Sequence, residues 1–123
     1  MSAAALVGPI LVVEDEAVMR DALCAILEDE GYTVTTARDG LEAVSVARAE
    51  PPKLILLDWR LPGQNGGAVA EQIRIFQPEA RFVVVTADGN AAARAAEIST
   101  RWYLHKPFEI DDLMRMVSAA IAS

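Results

Sequence analysis

Short apolar runs recur along the chain and predict the strands of a sheet. Four of them are continuous and rich in Val, Ile, Leu or aromatic residues, namely Ile10–Val13, Leu54–Asp58, 81–86 and 102–104. Continuous runs of this length are typical of strands that are buried on both faces of a parallel sheet. A fifth run, residues 32–36, alternates and is β-branched, which predicts a more exposed strand.

The segments after the strands carry apolar residues at helical spacing, so each strand is expected to lead into a helix. The predicted inward stripes are Met19, Leu23, Ile26 and Leu27 in the first helix, Leu41, Val44 and Ala47 or Arg48 in the second, Val69, Ile73 and Phe76 in the third, and Leu113, Val117, Ala120 and Ile121 in the last. The fourth, residues 90–98, is alanine-rich and has few large residues to anchor it. Alternating βα units predict an α/β fold, a doubly wound five-stranded parallel sheet with helices on both faces.

The composition indicates one globular domain without a nucleic-acid-binding face. The chain has 123 residues, of which 53 % are apolar and 24 % charged, enough for one hydrophobic core. A net charge of −7 disfavours binding to phosphate backbones, which requires clustered Lys and Arg. We assign residues 1–8 to an N-terminal extension and residues 9–123 to the domain.

The sequence also predicts a cytoplasmic protein that does not bind membranes. The one cysteine, Cys24, cannot form an internal disulfide, which favours a reducing compartment. The first residues lack the positive start and the length of a secretory signal, and no apolar stretch reaches membrane-spanning length.

Polar residues stand where the apolar runs stop. Glu14 and Asp15 follow the first run, Asp58 ends the third in chain order, Thr86 ends the fourth, and Lys106 follows the fifth. Because the ligand crevice of an open α/β sheet lies outside the carboxyl ends of its strands, these side chains are expected to meet. Two like charges about 5 Å apart repel by roughly 3 kcal/mol at an effective dielectric near 20. A hard divalent cation would relieve that repulsion.

These residue types fit magnesium-assisted phosphoryl transfer. Mg²⁺ takes few carboxylates, keeps waters and shares phosphate oxygens, so Glu14 and Asp15 are candidate metal ligands. Asp58 is the candidate nucleophile, since a carboxylate can attack phosphorus and form an aspartyl phosphate. Lys106 would neutralise charge on the transferring group, and Thr86 would donate a hydrogen bond to it.

Taken together, the chain resembles the receiver domain of two-component response regulators, which has the CheY-like, flavodoxin-like fold. The resemblance covers residues 10–121 and rests on Glu14-Asp15, Asp58, Leu61-Pro62-Gly63, Thr86-Ala87 and Lys106-Pro107-Phe108. It implies phosphoryl transfer to Asp58 from a sensor histidine kinase or a histidine phosphotransfer protein. It further implies a cis Lys106–Pro107 bond and Mg²⁺ held by Glu14, Asp15, Asp58 and the backbone carbonyl of Arg60.

The resemblance also implies a switch. Thr86 is expected to move towards the phosphoryl group, and Tyr103 to swing inward behind it. The responding face would comprise the fourth helix, the fifth strand and the fifth helix. It would act on an unknown downstream protein, on a covalently linked output domain, or through a phosphorylation-dependent homodimer.

Arg60 and Asp88 stand two residues beyond Asp58 and Thr86, at positions that tune phosphoryl lifetime in the family the chain resembles. We expect them to pair across the mouth of the site. The chain departs from the commonest pattern at Glu14, where Asp is more usual, and in a slightly short segment between Thr86 and Lys106.

Two other functions compete with this interpretation. A degenerate receiver would act only as a protein-interaction module, but the complete polar set at the strand ends argues against it. A Mg²⁺-dependent phosphatase with an aspartyl nucleophile would carry a second Asp two residues later, where this chain has Arg60. Each polar residue alone has a simpler role, as a helix cap or a surface residue. Trp59 and Trp102 are expected to be half-buried.

Overall fold

The computed structural model describes residues 8–123, so the predicted extension at residues 1–8 lies outside the described residues except for Gly8. The elements in chain order are β1 (Ile10–Val13), α1 (Ala17–Asp29), β2 (Val34–Ala37), α2 (Gly40–Ala49), β3 (Leu54–Asp58), β4 (Arg60–Leu61), β5 (Gln64–Asn65), α3 (Gly66–Phe76), β6 (Phe82–Thr86), α4 (Ala91–Glu97), β7 (Tyr103–His105) and α5 (Ile110–Ala122). Within residues 8–123, none of the helices has the length and apolarity needed to cross a bilayer.

Five of the strands form the predicted parallel sheet, in the order β2-β1-β3-β6-β7. The register pairs Ile10 of β1 with Val34 on one side and Leu54 on the other. The strand order reverses direction at β1, so the loops that follow β1 and β3 leave the sheet beside each other. In open α/β sheets such a switch point leaves a crevice at the carboxyl ends of the strands.

The sheet has a separate hydrophobic core on each face, because successive side chains of a strand point to opposite sides. Leu11, Val13, Ile55 and Leu57 pack with residues of α2, α3 and α4 on one face. Ile10, Val12, Leu54 and Leu56 pack with residues of α1 and α5 on the other. This arrangement confirms burial on both faces for β1, β3 and β6. The prediction is wrong for β7, which forms at the edge of the sheet and buries only Leu104.

The predicted inner stripe of the second helix is wrong at Leu41 but confirmed at Ala47, which is fully buried, and Val44 is partly buried against the core. Leu41 is 81 % exposed, and the residues of α2 that face inward are Gly40, Ala43 and Ala47. The reason is a close approach at the start of the helix, where a Cβ on Gly40 would lie 2.1 Å from Nε2 of Gln64. A side chain larger than glycine would collide at this position, and the neighbouring Leu41 points to solvent.

The predicted turn after β3 is a two-stranded hairpin. Arg60 pairs with Asn65 and Leu61 with Gln64 in an antiparallel ladder formed by β4 and β5. Gly63 at its tip has φ +82, a left-handed conformation that favours glycine. The hairpin continues directly from the end of β3, so it forms one wall of the region around Asp58.

Candidate functional site

Three carboxylates meet at the carboxyl ends of β1 and β3. Glu14, Asp15 and Asp58 each offer an oxygen atom that lies within 4.8 Å of the other two. Glu14 is only 2 % exposed and Asp58 6 %, whereas Asp15 is open to solvent. The cluster therefore has two buried members and one side that faces water.

Lys106 joins this cluster from the loop after β7. Its Nζ donates to Oε1 of Glu14 at 2.8 Å and to Oδ2 of Asp58 at 3.2 Å. Its backbone N–H donates to the carbonyl of Thr86 at 2.8 Å, and the Lys106–Pro107 peptide bond is cis. Burial alone would lower the pKa of Lys106, but its hydrogen bond to Glu14 and the charge of Asp58 outweigh that effect and raise the pKa above its ordinary value.

The two oxygens of Asp58 have different partners. Oδ2 accepts from Lys106, and Oδ1 accepts from the backbone N–H of Arg60 at 3.2 Å. The side chain of Glu14 is likewise bonded at both oxygens, since Oε2 accepts from the backbone N–H of Glu16 at 3.2 Å. Asp15, by contrast, has no side-chain hydrogen bond or ion pair to any residue between 8 and 123.

This donor set fits a hard divalent cation. Three carboxylates face the single ammonium group of Lys106, so negative charge remains uncompensated. Even at 4.8 Å, the upper limit of these separations, two carboxylates would repel by about 3.5 kcal/mol at an effective dielectric near 20. Carboxylate oxygens with one side open to water are the ligands that Mg²⁺ accepts in proteins. The residues present are therefore suited to hold such an ion.

Arg20 is a site residue that the sequence did not reveal. From α1 its Nη1 donates to the backbone carbonyl of Glu14 at 3.0 Å and to that of Asp15 at 3.4 Å. These bonds hold the loop after β1 and so orient the acidic pair. Nothing distinguishes this arginine in the sequence from an ordinary solvent-facing residue of a helix.

Thr86 and Tyr103 lie on the neighbouring parallel strands β6 and β7 but in different environments. Thr86 is fully buried at the end of β6, and its Oγ1 accepts from the backbone N–H of Asp88 at 3.0 Å. Tyr103, at the start of β7, is 39 % exposed.

The predicted pair between Arg60 and Asp88 is not formed. Oδ2 of Asp88 instead accepts from Nε and Nη2 of Arg94, at 3.0 and 2.9 Å. The hydrogen bond from Arg94 is the main cause that lowers the pKa of Asp88, and the charge of Arg60 is a minor one. The physical reason is that α4 begins just after Asp88, which brings Arg94 back over that carboxylate.

Trp59 also differs from expectation, because it is only 7 % exposed, while Trp102 is half-buried as predicted. The ring of Trp59 packs under the start of α3, where a Cβ on Gly66 would lie 3.0 Å from it. The guanidinium of Arg94 lies 5.9 Å from the centroid of the same ring. The residue after Asp58 is thus packed between two helices.

Comparison with known proteins gives a consistent result. Residues 10–118 match the sequence profile described as response regulator receiver domain. The chain is 30 % identical over 106 residues to sporulation initiation phosphotransferase F of Bacillus subtilis, covering 85 % of this chain and 86 % of that protein. It is 34 % identical over 117 residues to the DNA-binding transcriptional regulator NtrC of Escherichia coli, covering 94 % of this chain but 25 % of that protein.

A solved structure supports the same comparison. The chain is 32 % identical to the response regulator protein TrrA of Thermotoga maritima, which was crystallised in complex with Mg²⁺ and BeF. The TM-score is 0.83, and the match covers 93 % of this chain and 99 % of that one. The chain therefore spans nearly all of some relatives and about a quarter of others.

Proposed function

The chain belongs to the response regulator receiver family, whose members are signalling phosphoacceptors rather than conventional enzymes, and from this we propose that Asp58 is the phosphoacceptor. The donor would be a phosphohistidine on a sensor histidine kinase or on a histidine phosphotransfer protein. One observation carries the proposal above all. Asp58 is a nearly buried carboxylate at a strand end, in contact with Lys106 and within 4.8 Å of two further carboxylates.

The proposed reaction is a displacement at phosphorus. An oxygen of Asp58 forms a bond to phosphorus while the bond from phosphorus to the histidine nitrogen breaks, and the imidazole leaves with that electron pair. Glu14, Asp15, Asp58 and the backbone carbonyl of Arg60 would hold Mg²⁺. When bound, this ion neutralises charge on the phosphoryl oxygens.

The residues around Asp58 would stabilise the transferred group by position and charge. Lys106 already contacts Oδ2 of Asp58, so its ammonium stands where negative charge would develop. Thr86 has a hydroxyl proton that can be donated to a phosphoryl oxygen, because in its bond with Asp88 it acts as the acceptor. Hydrolysis of the aspartyl phosphate by water would then reset the site.

The proposed output is a rearrangement of the face formed by α4, β7 and α5. Tyr103 is exposed on this face and would turn inward once Thr86 has moved towards the phosphoryl group. A groove of about 450 Å³ between β7 and α5 is partly lined by Leu104, Phe108 and Met116, which offers apolar surface to a partner. The partner would be another protein, a covalently linked output domain, or a second copy of the chain in a phosphorylation-dependent homodimer.

The proposal also covers the extent and location of the domain. We assign residues 9–123 to the receiver unit, consistent with the matched residues 10–118. A cytoplasmic location follows from the need to meet the phosphohistidine of the donor.

A small phosphodonor such as phosphoramidate tests the function without knowledge of the natural kinase. In the presence of MgCl₂, intact-mass measurement should show one phosphoryl group per chain, in an adduct that is labile to base. Asp58→Asn should give no adduct, while Asp111→Asn, which removes an exposed acid of α5, should react like the wild type. Sustained turnover of a phosphomonoester would indicate a phosphatase instead, and a folded wild type without adduct would indicate an interaction module.

A further inference from the structure

Arg94 is the side chain that connects α4 to the loop after β6. Five of the seven residues of α4 are alanine, and the other two are Arg94 and Glu97. Nε and Nη2 of Arg94 donate to Asp88, while Nη1 donates to Oε2 of Glu97 at 3.3 Å. Alanines bury little surface, so this guanidinium is a principal restraint on how the start of the helix sits against the loop.

Asp88 links Arg94 to the hydroxyl of Thr86. Its carboxylate is held by Arg94, and its backbone N–H donates to Oγ1 of Thr86 at 3.0 Å. The second carboxylate oxygen accepts from the backbone N–H of Asn90 at 3.0 Å, which fixes the loop locally. Hydrogen bonds therefore connect α4 through Asp88 to the buried side chain of Thr86, at the end of the strand that neighbours β3.

Arg94 also lines a cavity beside the two residues that follow Asp58. The cavity has a volume of about 300 Å³, and Trp59, Arg60, Asp88 and Arg94 are among its lining residues. The guanidinium lies 5.9 Å from the ring centroid of Trp59, which follows β3, and it is hydrogen-bonded to Asp88, which follows β6. A shift of the segment after β3 or of the loop after β6 would therefore change the surroundings of Arg94.

We infer that Arg94 is a positioning residue that holds Thr86 in its resting arrangement by restraining Asp88. The inference rests on the proposed function, since it concerns the response to a group on Asp58. When the hydroxyl of Thr86 turns to that group, the N–H of Asp88 loses its acceptor and the loop moves. The ion pair between Arg94 and Asp88 then breaks, while the ion pair between Arg94 and Glu97 remains. Glu97 lies on the same helix as Arg94 and is more exposed than Asp88.

The arrangement predicts effects of opposite sign for two neighbouring substitutions. Arg94→Met keeps the aliphatic stem and removes the restraint, so beryllofluoride with Mg²⁺ should bind about fivefold or more tightly than to the wild type. Glu97→Gln removes the carboxylate that pairs with Arg94 after its ion pair with Asp88 has broken. It should therefore weaken the binding of beryllofluoride. The affinity for Mg²⁺ alone should change in neither variant, because neither side chain belongs to the carboxylate cluster.

Titration followed by tryptophan emission, with Arg115→Met as the control, provides the measurement. Like Arg94, Arg115 makes an exposed ion pair with a residue three positions away on its own helix, here Asp112 at 3.1 Å. The Arg115→Met variant should bind beryllofluoride with the affinity of the wild type. The tightening caused by Arg94→Met should vanish when Thr86 is replaced by Ala, because the restraint acts through that hydroxyl.

The outcomes separate this inference from the proposed function. If the wild type and the Arg115→Met control fail to bind beryllofluoride, the proposed function is wrong. If the wild type binds it but Arg94→Met binds equally or more weakly, the restraint does not exist. Tightening that persists in the Thr86→Ala background would also overturn the inference, since Arg94 would then act by another route.

Discussion

Replacing Lys106 with Met removes the positive charge that contacts the two buried carboxylates. At an effective dielectric near 20, its attractions at 2.8 Å to Glu14 and 3.2 Å to Asp58 amount to about 6 and 5 kcal/mol before desolvation is counted. Most of this gross energy offsets the burial of the charged groups. Breaking a buried pair by removing one partner costs about 3–5 kcal/mol. Because the Lys106 side chain keeps 22 % of its exposure, we expect a loss near the lower end, about 3 kcal/mol.

The same substitution should make the site a better binder of Mg²⁺. Without Lys106 the oxygens of Glu14 and Asp58 lose a competing cation, and the uncompensated negative charge of the cluster increases. We therefore expect Mg²⁺ to bind about tenfold more tightly and to restore much of the lost stability.

Urea unfolding in EDTA and in MgCl₂ measures both effects. Lys53→Met is the matched control, since Lys53 stands before β3, next to the ring of Tyr32, and away from the carboxylates. Equal midpoints for Lys106→Met and the wild type in EDTA would refute the electrostatic reasoning. So would an unchanged or weakened affinity for Mg²⁺.

Three further predictions concern pH, packing and the switch. Folding raises the pKa of Lys106 above its ordinary 10.5, so the protonated lysine stabilises the folded state. The difference in unfolding free energy between the wild type and Lys106→Met should therefore have its full size at neutral pH and shrink above pH 10.5. Urea unfolding at each pH measures it. Gly40→Ala should lower the unfolding free energy by about 1–3 kcal/mol, because the added Cβ would overlap neighbouring atoms. Gly89→Ala is the control: no described atom lies within 4 Å of its added Cβ, so it should cost less than half as much. The ring of Tyr103 should become less accessible to a soluble paramagnetic probe in NMR when beryllofluoride and Mg²⁺ are added, with Tyr32 as the internal reference; equal accessibility in both states would contradict inward movement.

The sheet and the meeting of its polar ends could be predicted because both follow from local patterns. Leu54–Asp58 was assigned correctly from its continuous apolar run. Lys106 contacts Glu14 although the two residues are 92 positions apart in the sequence, because parallel strands bring their carboxyl ends to one edge of the sheet. The apolar periodicity also identified Leu113 and Val117 as inward residues of the last helix.

The errors arise where close tertiary contacts decide between local alternatives. The choice of Arg94 over Arg60 as the partner of Asp88 depends on where α4 starts relative to the loop, which alanine-rich sequence does not specify. The exposure of Leu41 follows from the contact between Gly40 and the hairpin, which helical spacing alone does not reveal. Among residues 8–123, the side chain of Arg20 bonds only to backbone carbonyls, and a sequence gives no sign of such bonds.

The location of the phosphoryl group tests the central proposal most directly. After reaction with phosphoramidate and MgCl₂, reduction with borohydride converts an aspartyl phosphate to homoserine, and tandem mass spectrometry locates the changed residue. We predict the change at Asp58 alone, and its absence when EDTA replaces MgCl₂. A change at Asp15 or elsewhere, or one that forms equally well without a divalent ion, would contradict the account.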